Sequence, residues 1–429
     1  MRTLPAGRAY SRRRRTALVV LCAAVAPLLP AFRTYVPHPE PPAITGRAFV
    51  ITEDEVLASF SLDRVARALG AEGAGAWLDV VASSAERPAA AMPLNRLTAS
   101  AAHDRTGPAA MMWAHVRPIA IVNRFDLAPA NYSNCGEARF IYTRTNGSST
   151  RLHIAVEAVL PNRHRDKGKA GCAAVAAFWW DLAQTESPDA RRERLERFFF
   201  DDASLDAASF SRNGRIRTSE ISDGRPRFAQ FEMRHHCEPA RPCRTRFARV
   251  PLDNMPDPAL FDAGTPGDRG DAFRREFLRQ VPSLAREDVN RMAMDLDRSY
   301  SVTDVDGLVP PFNYRLPFRR SLRGTAGREF REAIALELKK AGSGLTPEDI
   351  IDRAETQNCA GCHGKPGPVG GGAVFPQAFE RGEHIAEQSR SAPRISPALR
   401  EVFVPYRIEV LRAYLSATSF VSLSQEETQ

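Results

Sequence analysis

A chain of 429 residues is long enough for two or three domains at about 100–200 residues each. With 43% hydrophobic and 26% charged residues, its composition is that of a globular protein and excludes a disordered or fibrous one. The formal charge of +8 points to nucleic acid only until it is located. Six arginines (Arg2, Arg8, Arg12, Arg13, Arg14, Arg15) lie in the first thirty residues, where there is no acid, and the remaining chain carries +2. No later basic run is interleaved with aromatics, so no nucleic-acid partner is expected.

Arg12–Arg15 precede an apolar run from Thr16 to Ala31 that ends in small residues, the layout of a secretory signal over 1–32. Ala24-Val25-Ala26 is one cleavage triplet, with Pro27 an awkward neighbour. The alternative is an uncleaved segment anchoring the chain in the inner membrane, the only membrane association expected. A spanning helix, however, needs about 20 apolar residues and is poorly served by Pro27 and Pro30. Lipidation at Cys22 is disfavoured by the bulky Leu21. Residues 33–46 hold Pro37, Pro39, Pro41 and Pro42 and read as a stiff tether.

The body, 47–323, reads as α+β with antiparallel strands and disulfides. Thr52-Glu53-Asp54-Glu55 has the pattern of a capping box opening a helix that ends near Gly70. Arg117–Leu127 and Ala138–Thr145 read as strands, and Asn146-Gly147 turns the chain into Arg151–Leu160. Cys172 to Phe200 is helical, with Ser187-Pro188 as cap and first turn. Phe228–His236 and Arg244–Pro251 form a hairpin around the Cys237…Cys243 loop, and Ala272–Gln280 and Ala285–Leu296 read as helices. Val309–Arg323 separates this body from a helical tail, 324–421, and a terminal 422–429. In the tail, Gly327–Lys340 is amphipathic, and Thr346-Pro347-Glu348-Asp349 caps a helix carrying Ile350, Ile351 and Ala354. A loop at Gly370-Gly371-Gly372, a helical piece from Ser396-Pro397 and a last helix with Ile408, Leu411 and Leu415 complete the tail.

An exported chain is oxidised. Setting aside Cys22 and the pair Cys359/Cys362 leaves four cysteines and an expectation of two disulfides. Cys237 and Cys243 enclose a short loop and pair readily, which leaves Cys135 for Cys172, one of three connectivities and preferred on loop logic alone.

Cys359-Ala-Gly-Cys362-His363 is C-x-x-C-H, the attachment signature for haem c, covalent and present once. Two thiols three positions apart at a helix end reach the two vinyl groups of a porphyrin as thioethers. The next residue, His363, then lies under the iron as the proximal ligand. A zinc half-site would want a second pair at finger spacing, which Cys237 and Cys243 do not supply. A redox dithiol would want a βαβ context, which is absent around residue 359.

The tail resembles the class I cytochrome c domain from about Leu345 to Phe420, in a helix ending at Cys359-Ala-Gly-Cys362-His363, a Gly/Pro loop and a terminal helix. The resemblance implies a proline behind the proximal imidazole, and Pro376 is at the matching distance. It also implies an axial methionine, but no methionine follows Met294. His384, 21 residues past His363, is the leading candidate for the distal iron ligand. The alternatives are an open site or a ligand from the body, Met292, Met294 or His235. Imidazole in place of thioether implies a lower reduction potential. The body is also similar to a group of bacterial secreted proteins that end in a CxxCH segment, in Asn123–Pro129, Asn134–Phe140, Glu157–Asn162 and Gly214–Arg217. That likeness implies a fused haem protein and no reaction.

Other constellations read as structure. His235 and His236, adjacent on a strand, face opposite ways and poorly share a metal. Asp126 and Glu137, near Arg124 and Arg139, read as buried ion pairs before an acid/base couple. Trp179-Trp180, Phe198–Phe200 and Met111-Met112-Trp113 read as core. No Gly-x-Ser-x-Gly, His-Glu-x-x-His or phosphate loop is present. The expectation is a periplasmic or secreted monohaem c-type cytochrome passing electrons to a redox partner protein. The alternative is a haem enzyme (peroxidase-like or oxidoreductase) or a redox or ligand sensor with the body as binding module. A carrier is favoured over a catalyst, and only the alternatives predict iron open to cyanide or CO.

Overall fold

The computed structural model describes residues 46–68, 116–146, 150–201, 214–222, 225–236, 244–265, 267–303, 313–357, 385–389 and 392–426. The fold is mixed α and β, with a seven-stranded antiparallel sheet in which strands adjacent in sequence are adjacent in space. Its strands are β1 (Val50–Ile51), β2 (Arg117–Arg124), β3 (Asn134–Asn146), β4 (Thr150–Pro161), β5 (Arg215–Ser222), β6 (Arg225–His236) and β7 (Arg244–Val250). The expected strands are all present. Phe125–Leu127, taken as the end of the first, is instead a 3₁₀ turn.

Period-two alternation gives the sheet two unlike faces. Ala138, Phe140 and Tyr142 on β3, Ile154, Val156 and Ala158 on β4, and Ala229, Phe231 and Met233 on β6 belong to one apolar cluster. Against it lie α1 (Asp54–Leu57), α2 (Leu62–Ala68), α3 (Ala173–Gln184) and α4 (Pro188–Phe200). Phe60, Phe140 and Phe199 pack ring to ring, and the Tyr142 hydroxyl donates to the Phe60 carbonyl at 3.0 Å. Trp179, Phe198 and Phe199 are buried in this core, Trp180 and Phe200 are half-buried against it, and Met111-Met112-Trp113 lies outside the described residues.

The chain comes onto this layer differently from the expectation. Glu53, not Thr52, is the N-cap of α1, and it forms no capping bond, because its carboxylate is held by Arg191 at 2.8 Å. The helix expected to run to Gly70 is broken by buried Phe60, and Ser61 starts α2 afresh, accepting from the Arg64 amide at 3.2 Å.

A second apolar cluster is built on α5 (Asp268–Leu284), α6 (Arg315–Ser321), α7 (Thr325–Lys340) and α8 (Pro347–Thr356). Phe261 stacks on Tyr314 at 4.4 Å and meets Phe273 and Phe277 edge-on. Gly327 lets α7 approach α6: a Cβ there would lie 2.0 Å from the Ser321 carbonyl oxygen. The helix expected over Ala285–Leu296 does not form. Only Val289–Arg291 makes a 3₁₀ turn, and Met292, Met294 and Leu296 are buried in alternation with exposed neighbours, as in an extended segment.

The last helix, α9 (Val404–Glu426), returns to the sheet: Leu411 and Tyr414 join the first cluster, with Ile408 and Leu415 packed at its margin. Among the described residues no helix is long and apolar enough to cross a membrane. Cys135 and Cys172 form a disulfide, with Cα atoms 5.4 Å apart, tying the start of β3 to the entry of α3; Cys237 and Cys243 lie outside the described residues.

That cross-link closes a loop of 37 residues. Replacing both Cys135 and Cys172 by serine should lower the unfolding free energy by about 3–4 kcal/mol, read as a lower urea midpoint with a somewhat steeper slope, because the unfolded chain is no longer cross-linked.

Candidate functional site

Cys359, Cys362, His363, Pro376 and His384 all lie outside the described residues, but the segments on either side of them are described. On the entry side α8 is held in place along its length. Thr346 and Asp349 form a complete capping box, with the Asp349 amide donating to Thr346 Oγ1 at 3.2 Å and the Thr346 amide to Asp349 Oδ2 at 2.8 Å. Ile350, Ile351 and Ala354 are fully buried. Three charged residues on the same helix make specific ties. Buried Asp352 accepts from Arg315 Nη1 at 2.7 Å. Glu355 caps the start of α6, accepting from the Tyr314 and Arg315 amides at 2.7 and 3.1 Å. Arg353, whose burial pulls its guanidinium down from the usual range, donates to the carbonyls of Leu284 and Arg286, satisfying the end of α5.

On the exit side a short hairpin, β8 (Ile385–Ser389) and β9 (Ala392–Ile395), lies with β8 near β2. Ser396 then caps the next turn, accepting from the Leu399 amide at 3.1 Å, and α9 comes after it. The chain thus leaves the second apolar cluster at α8 and rejoins the first at Ile395. Of the other candidate ligands, Met292 and Met294 are buried, and Met294 packs within the second cluster. His235 and His236 lie on β6, opposite Thr245 and Arg244.

A second constellation stands at one end of the sheet, where the four blocks singled out in the sequence converge. Asn123–Pro129 ends β2, Asn134–Phe140 opens β3, Glu157–Asn162 closes β4 and Gly214–Arg217 opens β5. Gly136, at φ +80°, permits the crossing, since a Cβ there would lie 2.4 Å from the Arg124 carbonyl oxygen. On the face away from the first cluster, register brings Arg139, Glu157 and Arg215 side by side. Glu157, 1% exposed, has Arg139, Arg215 and Arg217 Nε at 3.2, 3.3 and 3.3 Å. Glu137 pairs with Arg139 at 2.8 Å and Arg215 at 2.6 Å. Asp253, beyond β7, binds Arg215, Arg217 and Arg298, and Arg298 also reaches Glu232. At the margin Asp126 takes the fork of Arg124, with Nε at 3.0 Å and Nη2 at 2.9 Å, while Arg407 of α9 comes no closer to it than 3.9 Å.

Asp126 and Glu137 therefore act as ion-pair partners, each engaged by arginine. The sequence pointed to them individually. It did not point to Arg407 or Asp253, whose residue types are ordinary for a helix and a loop. The available signal was the charge alternation Glu137-Ala-Arg139 and Arg215-Ile-Arg217 on paired strands.

Burial alone would raise the Glu137 carboxyl, but Arg139, Arg215 and Arg217 overcome it and hold the group at about 2 against an ordinary 4.5. A depressed carboxyl contributes stability that is full above its unfolded value and is lost as pH falls through its folded one. Glu137→Gln should therefore be destabilised by about 3–5 kcal/mol near neutrality, by leaving buried guanidiniums short of a counter-charge. The gap to the wild type should close as pH drops from 4.5 towards 2, read by urea denaturation across that window.

No protein-family model, curated protein or solved structure matches this chain.

Proposed function

We propose that this chain is an exported, periplasmic or secreted monohaem c-type cytochrome that transfers electrons. Its haem c is held by thioethers from Cys359 and Cys362, with His363 as the proximal ligand. The observation that carries the reading is the pentapeptide itself, two residues beyond a helix whose cap, buried face and polar ties are all made. The donor set fits the group: two thiols at helical spacing followed at once by an imidazole. When bound, the haem supplies a one-electron couple. The chain's own part is to fix the end of the helix that precedes the motif, and Pro376 is proposed to orient His363 through its carbonyl.

The haem-bearing part is proposed to be similar to a class I cytochrome c domain in its motif helix and terminal helix. In this chain those two helices pack into different apolar clusters. The redox partner is proposed to present an acidic surface. Arg319, Arg320 and Arg323 are exposed around Leu316, itself 57% exposed, on and just beyond α6, and α6 is tied to the motif helix through Arg315 and Asp352.

The test is expression alongside a cytochrome c maturation system. The denatured protein should retain a haem stain, and Cys362→Ala should abolish it; a processed wild-type protein that is colourless and of unmodified mass overturns the reading. With His384 as the distal ligand, the oxidised spectrum should be low-spin and unchanged by cyanide. His384→Ala should then turn it high-spin and cyanide-sensitive, whereas an unaltered spectrum removes His384 as a ligand.

A further inference from the structure

Arg407 projects from the first turns of α9 into the sheet corner and is 9% exposed. The charged groups that face it are Arg124, Asp126 and Arg139. Asp126 is committed to Arg124, whose fork engages both of its oxygens, and Arg407 Nε stands 3.9 Å away, beyond hydrogen-bond reach. Arg139 is itself committed to Glu137 and Glu157. Arg407 Nη1 is buried with no hydrogen-bond partner. Among the described residues the corner holds six guanidiniums (Arg124, Arg139, Arg215, Arg217, Arg298, Arg407) against five carboxylates (Asp126, Glu137, Glu157, Glu232, Asp253), and the one with no carboxylate within hydrogen-bond reach is Arg407. Burial, with Arg124 beside it, pulls this guanidinium down to about 9. Guanidinium does not shed its charge at neutral pH, so an anion beside Arg407 would relieve the imbalance.

We infer that Arg407, with Arg124 beside it, forms a carboxylate-binding site at the sheet corner, completed by an anion that the acidic side chains of the described residues do not supply. A planar carboxylate matches the free edge of the fork. Two sources carry that chemistry, a free small carboxylate and a propionate of the proposed haem. The second rests on the haem reading above, and the first does not.

The experiment compares full-length wild type with Arg407→Met, both expressed with the maturation system, using sodium acetate as the probe. A free carboxylate predicts that wild-type melting rises by about 2 °C in 0.1 M acetate over chloride of equal ionic strength, and that Arg407→Met shows no rise. A propionate predicts that the haem-loaded wild type ignores acetate. In that case Arg407→Met shifts the propionate bending band in the resonance Raman spectrum and moves the midpoint potential. A chain that purifies without haem still reports the acetate response, so failure of the haem reading is distinguishable from failure of this one. Equal acetate responses together with equal haem spectra and potentials overturn the site. So does a wild type that shows neither a response nor a bound haem. Should Arg407→Met not fold, Arg407→Lys keeps the charge and loses the fork, and should weaken the acetate response roughly tenfold; an undiminished response again overturns the site.

Discussion

Glu157 sits in the middle of the sheet, nearly out of solvent, with three guanidiniums around it at 3.2–3.3 Å. A carboxylate so placed is stable only if the strands on either side deliver cations to it, and Arg139 on β3 and Arg215 and Arg217 on β5 do so. The requirement pins register. A slip of one residue would turn the arginines onto the apolar face and leave Glu157 alone. It also joins the sheet to the segment beyond β7, because Asp253 shares two of the same arginines and reaches on to Arg298. The apolar contact of Phe228, Leu252 and Met255 with Val302 lies along the same seam.

The helix leading into C-x-x-C-H obeys the same logic on a smaller scale. Its apolar residues bury it, but Asp352, Arg353 and Glu355 decide where its end points, since Arg353 ties it to the end of α5 and Asp352 and Glu355 tie it to the start of α6. Apolar contact is tolerant of small rotations; a carboxylate accepting two adjacent backbone amides is not. A group attached covalently just beyond such a helix would inherit a fixed starting position. The rest of the chain's path joins two cores, so anything held between residues 357 and 385 is tied to both.

How much was legible differs by element. Five of the seven strands could be read because β-branched and aromatic residues recur at period two between turn residues; β1, of two residues, and β5, rich in arginine and polar residues, do not show that pattern. The long helices could be read because capping residues and apolar stripes coincide, as at Ser187-Pro188 and Thr346-Pro347. The errors fell where a distant residue intervened. Glu53 was read as part of a local cap, yet Arg191, far along the chain, claims its carboxylate. Residues 285–296 depart from the expected helix because Met292, Met294 and Leu296 bury every second residue, and the carbonyls of residues 284 and 286 are taken by Arg353.

By itself the sequence determined the C-x-x-C-H motif, five of the sheet's seven strands and the caps at Ser187 and Thr346, because these depend on spacing and residue type over short stretches. Tertiary structure alone decided that the four sequence blocks meet at one corner. It also decided that the terminal helix returns to the sheet, and that among the described residues one arginine there has an acid no nearer than 3.9 Å and no hydrogen bond to it. Charge balance in a buried cluster is a sum over residues from β2 to α9, and no local window of sequence contains that sum.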